Sequence, residues 1–81
     1  MDVKHEVELI IGEILGSSVS IENDANLMYD YHMDSLQIMN TVVKLEDKFN
    51  FEFELEDLNI DDLIVFSKIV EYVNDILERG V

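Results

Sequence analysis

The sequence has no cysteine, no proline and no tryptophan, and only three glycines in 81 residues. Without cysteine there are no disulfides, no thiolate metal ligands and no thiol nucleophile. Positive charge is scarce too. Five Lys and Arg stand against nineteen Asp and Glu, for a formal net charge of −14. A surface of that sign repels nucleic-acid phosphates and anionic lipid, so neither is an expected partner. Long apolar runs are also missing, whereas a membrane-spanning helix needs about 20 such residues, and no membrane insertion is expected. Met1 to Glu8 is a charged stretch, not the basic-then-apolar pattern of a signal peptide.

What is present is a 48% hydrophobic content arranged with helical periodicity. That is too apolar and too regular for a disordered acidic chain. The length predicts one domain over residues 1–81, with a small core that depends on well-packed amphipathic helices. The expected form is a cytoplasmic monomer, and the short termini read as those of a stand-alone chain. The acids either only keep the fold soluble or also steer partners with basic patches.

Val3, Val7, Ile10, Ile11 and Ile14 fall at helical spacing, and Gly16 is placed to end that first helix. Gly12 lies inside it at a cost of about 1 kcal/mol relative to alanine. Residues 17–33 mix Ser, Asn and Asp with isolated apolar side chains and predict a long loop, of a length that is usually functional. In it, Tyr29 and Tyr31 are expected to anchor the loop on the core.

The second helix has the clearest start. Asp34 fits the N-cap, Gln37 can return a hydrogen bond to it, and Met33 and Ile38 form a hydrophobic staple. Ile38, Val42, Leu45 and Phe49 make one buried stripe. Leu36, Met39 and Val43 make a second apolar row, which would be a docking surface if exposed. Phe51 to Glu56 alternates as a strand would, but no partner strand is available, so it reads as an extended connector burying Phe51, Phe53 or Leu55. A short helix is expected around Ile60 to Leu63. The last helix carries Phe66, Ile69, Val70, Val73, Ile76 and Leu77, with Arg79 suited to its dipole and Gly80 as the stop. The sum is a small all-α bundle of three to four helices with a long loop between the first and second.

Ser35 takes the first helical position behind the Asp34 cap, where unpaired backbone N–H groups make a positive helix end. An anionic group there gains about 0.3–1 kcal/mol. Capping alone also places many serines at such positions.

The stretch Asp24-Ala25-Asn26-Leu27-Met28-Tyr29-Asp30-Tyr31-His32-Met33-Asp34-Ser35-Leu36 resembles the loop and Asp-Ser-Leu attachment motif of the acyl and peptidyl carrier proteins. The likeness continues through Leu45-Glu46-Asp47-Lys48-Phe49, Asp57-Leu58-Asn59 and Ile69-Val70-Glu71-Tyr72-Val73, and so covers nearly the whole chain. The three-residue motif is weak alone. It is strong at the start of the second of three helices, after a long loop, in an acidic chain of this length.

The resemblance implies a carrier and not an enzyme. A phosphopantetheinyl transferase would move 4'-phosphopantetheine from coenzyme A onto Ser35, with Asp34 aiding its recognition and its magnesium ion. The arm's thiol would then hold acyl or aminoacyl groups as thioesters, received from a loading enzyme and presented to downstream synthase enzymes. Asp34 and Leu36 belong to the attachment motif. Leu36 and Met39 would be part of the surface read by those partners, with acids such as Glu46 and Asp47 meeting their basic patches.

The chain departs from the family at several positions. His32 stands where glycine is usual, Met33 where a small residue is, and Thr41 where a buried leucine is common. Gln37 and Asn40 replace acids frequent in fatty-acid carriers, and Val65 replaces a Ser or Thr cap. These departures point away from housekeeping fatty-acid synthesis, towards polyketide, nonribosomal peptide or another specialised pathway. The alternative is an unmodified acidic interaction module built on the same bundle. Asp57, Asn59 and Asp61 resemble a calcium loop only in part, because Asp62 and Lys68 occupy the places of its glycine and bidentate glutamate. His32 and Ser35 lack the elbow and oxyanion features of a nucleophile and base. His5 and His32 are too few and too separated for a metal site.

Overall fold

The computed structural model describes residues 2–53 and 61–79. Among the described residues five helices follow one another: α1 (Val3–Leu15), α2 (Leu27–Asp30), α3 (Ser35–Phe49), α4 (Asp61–Ile64) and α5 (Phe66–Glu78). The three long ones are those expected from periodicity. Asp2 caps α1 by accepting the His5 N–H at 3.3 Å, and Gly16 ends it in the left-handed region at φ 79°. The N–H groups of Gly16 and Ser17 both return to the Gly12 carbonyl, closing the last turn. Asn50, at φ 57°, ends α3 in the same way, with Phe51 donating to the Glu46 carbonyl.

Val7, Ile10 and Ile11 of α1 are buried with Ile38, Val42, Leu45 and Phe49 of α3 and with Phe66, Ile69, Val73 and Ile76 of α5. α1 packs on α3 and on α5, while α4 packs on α5 and α3. Lys44 reaches Glu13 at 3.6 Å and Lys48 reaches Glu6 at 3.4 Å. As α3 advances α1 recedes, so the two helices are antiparallel. Ser35 therefore lies towards the end of the bundle where α1 finishes. Beyond α3, Phe51 and Phe53 turn into the core with Glu52 outside, and the Phe53 ring stacks on Tyr72 at 4.8 Å. The connector expectation holds for these two side chains. Leu55, Ile60 and Gly80 lie outside the described residues, as do Asp57 and Asn59 of the calcium-like stretch.

The interhelical loop differs from expectation. It contains a helical turn, α2, capped by the Asn26 carboxamide, which accepts the N–H groups of Met28 and Tyr29 at 3.0 Å each. The Asp30 carboxylate in turn accepts the Asn26 N–H at 2.8 Å. α2 buries Leu27 completely. The expectation that Tyr29 anchors the loop is corrected: its side chain is 80% exposed, because the turn spends its inward position on Leu27. Tyr31 does pack on the core, and its hydroxyl donates to the Ser20 carbonyl at 3.2 Å.

Candidate functional site around Ser35

The polypeptide before Ser35 is fixed from several directions. The Glu8 carboxylate accepts the N–H of buried Ile21 at 2.7 Å, tying the loop to α1. Met33 donates its N–H to the Leu27 carbonyl at 3.1 Å, closing the chain over α2. His32 makes that closure possible by taking a left-handed backbone, φ 57°, with its side chain exposed. This is the position where the family usually has glycine, the residue without a steric penalty there.

Asp34 then opens α3. Its carboxylate accepts the Gln37 N–H at 2.8 Å, and the Gln37 side chain accepts the Asp34 N–H at 3.1 Å, a complete capping box. Met33 and Ile38 are both buried on either side of the cap, as the staple requires. Ser35 is the first helical residue and is exposed. Among the described residues its hydroxyl has no hydrogen-bond partner. The N–H groups of Ser35 and Leu36 likewise meet no acceptor among them, so the positive end of α3 is open to an anion.

That arrangement leaves room at Ser35 for an added group. The oxygen is already in solvent, and the helix end favours the added charge by about 0.3–1 kcal/mol. The first turn of α3 itself carries no acid, and the negative charge nearest Ser35 in sequence is the Asp34 carboxylate at the cap, already engaged by the Gln37 N–H.

The second apolar row is exposed: Leu36 by 68%, Met39 by 37% and Val43 by 51%. It runs along α3 away from Ser35. Thr41 sits in the buried stripe, with its hydroxyl donating to the Gln37 carbonyl at 2.9 Å, which satisfies a polar group where leucine is common. Of the two acids expected to meet partners, Asp47 is exposed. Glu46 is half-buried, and its carboxylate accepts the Phe53 N–H at 2.9 Å. Glu46 thus holds the connector after α3, a role with no local sequence signal because the two residues meet only after the α3 end turns back. The loop ties made by Glu8 and Asn26 were missed as well. Only the second was detectable, as an Asn cap four residues before an acid.

Over residues 5–73 the chain matches the family described as the phosphopantetheine attachment site. It is 34% identical over 76 residues to the D-alanyl carrier protein of Streptococcus gordonii, covering 94% of this chain and 96% of that one. It is 26% identical over 77 residues to the D-alanyl carrier protein of Leuconostoc mesenteroides, covering 95% and 99%. The acyl carrier protein of Chlamydia caviae is 32% identical over 73 residues, covering 84% of this chain and 95% of that one. The chain belongs to the phosphopantetheine-binding family of carrier proteins, and its role is to bear a covalent 4'-phosphopantetheine arm, not to catalyse.

Proposed function

We propose that the arm is esterified to Ser35 and carries an aminoacyl group as a thioester, with D-alanyl as the foremost cargo. The single observation that supports the site is the exposed Ser35 hydroxyl, without a hydrogen-bond partner among the described residues, at the start of α3 behind a complete capping box. The cargo class rests on the similarity to D-alanyl carrier proteins of Streptococcus gordonii and Leuconostoc mesenteroides. The neutral Gln37 and Asn40 agree with it, since they stand where fatty-acid carriers often have acids. Within the range of specialised pathways, this favours amino-acid cargo over polyketide cargo.

In the loading step the Ser35 oxygen attacks the phosphorus bearing the pantetheine in coenzyme A. The pyrophosphate P–O bond breaks, the nucleotide bisphosphate leaves, and the serine proton passes to solvent or to the transferase. Asp34 commits Oδ1 to the Gln37 N–H, which leaves Oδ2 for the transferase and its magnesium ion. Leu36, Met39 and Val43, with Asp47 beyond them, form the face read by the transferase, the loading enzyme and the enzyme that takes the cargo. All of this is assigned to the cytoplasm, where coenzyme A is available.

The test uses the phosphopantetheinylated protein, ATP and a D-alanine-activating ligase, followed by intact mass. One D-alanyl addition that hydroxylamine removes is the expected result. Acceptance of a long-chain acyl group from an acyl-transferring ligase, with no D-alanyl addition, would overturn the cargo assignment.

A further inference from the structure

The outer side of α1 has a feature that the arm does not explain. Gly12 is buried under the loop that follows α1, which folds back so closely that a Gly12 Cβ would lie 2.8 Å from the Ser17 carbonyl oxygen, while Gly16 one turn on is exposed with open space where a side chain would stand. Together with Glu8, Leu9 and Glu13 these residues line a groove of about 560 Å³. Leu9 stands there 50% exposed, a large apolar side chain with no cover among the described residues.

The groove is negative at its far end. The last turn of α1 has no basic residue to offset the helix dipole, and Glu13 adds a carboxylate beside it. Lys44 stands 3.6 Å from that carboxylate and offsets part of its charge, but both side chains are exposed and the pair can open to a competing cation, and Glu8 adds a second carboxylate to the lining. An apolar notch with a negative rim complements a segment that presents one apolar anchor flanked by Lys or Arg. A second copy of this chain, at net charge −14, is repelled from it, and so is an anionic membrane. The groove shares no residue with the Leu36, Met39 and Val43 row.

We propose that this groove is a second docking site, for a basic amphipathic segment of a partner protein. The segment seats one apolar side chain beside Leu9 and a cation at the C-terminal end of α1, leaving the α3 row open. The site is independent of the arm on Ser35, and the mass measurement of phosphopantetheinylation reports on that separately.

The probe is an amphipathic helical peptide of Lys and Ala with a single Leu, titrated into the isotope-labelled full chain and followed by amide chemical shifts. Saturable shifts at Leu9, Glu13 and Ser17 are expected. Leu9→Ser should weaken binding by about fivefold or more, while Leu36→Ser leaves it within about twofold. Both positions are exposed, and circular dichroism checks that each variant folds. Shifts confined to the α3 row, shifts spread over the acidic surface without saturation, or unchanged affinity in Leu9→Ser would overturn the proposal. Concentration-dependent shifts without peptide would assign the groove to self-association and overturn it equally.

Discussion

The Phe66 N–H donates to the Ala25 carbonyl at 3.0 Å, so the loop that leads to Ser35 is bonded to the start of α5. Ser67 donates to the Asn23 carbonyl at 2.8 Å, and Lys68 and Ile69 both donate to the Val65 carbonyl. The first four amides of α5 are therefore satisfied with no side-chain cap at Val65. An isolated antiparallel bridge between Asn26 and Val65 accompanies these bonds.

A capping side chain at Val65 should accordingly gain little. Val65→Thr is expected to change stability by less than about 0.5 kcal/mol, where an unsatisfied helix start would gain about 1 kcal/mol. Urea unfolding measures it, and a gain of about 1 kcal/mol would show that the loop carbonyls do not cap α5.

Asp34 is the opposite case. Asp34→Ala removes the acceptor for the Gln37 N–H and should lower stability by about 1 kcal/mol, or the melting temperature by about 4–8 °C. Asp34→Asn, which keeps an acceptor, should restore most of it. Equal loss in both variants would mean that charge, not the cap, is what counts.

His32 holds φ 57° with a side chain attached. His32→Gly should stabilise the fold by about 0.5–1 kcal/mol, the relief of left-handed strain less the greater entropy of an unfolded glycine. A loss of stability on thermal unfolding would show that the imidazole makes a compensating contact.

Gly12 reverses the usual propensity rule. In an open helix, Gly→Ala gains about 1 kcal/mol. Here the new methyl would meet the Ser17 carbonyl at 2.8 Å, a backbone atom that cannot swing aside. Gly12→Ala should destabilise by about 1–3 kcal/mol in chemical denaturation. A stabilised variant would show that the loop after α1 yields easily.

These cases mark how far the sequence could be read. Asp34, Gln37 and the Ile38, Val42, Leu45 and Phe49 stripe declared α3 and the exposure of Ser35, because caps and helical faces are set by residues three or four apart. α2 was hidden because four residues carry too little periodicity, and the Tyr29 expectation failed with it. The Ala25–Phe66 bond joins residues 41 positions apart in sequence, and the Glu46–Phe53 bond needs the chain to reverse first. Neither leaves a local pattern. His32 and Val65 looked like plain departures from a family pattern, and only the backbone shows that one carries strain and the other is relieved by the loop.

The central claim is that one exposed oxygen, on Ser35, bears the arm. Incubation with a broad-specificity phosphopantetheinyl transferase, magnesium and coenzyme A, read by intact mass, tests it most directly. A single added phosphopantetheine on the natural chain, absent from a folded Ser35→Ala variant, is the result this account predicts. The same addition on Ser35→Ala, or none on the natural chain, would contradict it.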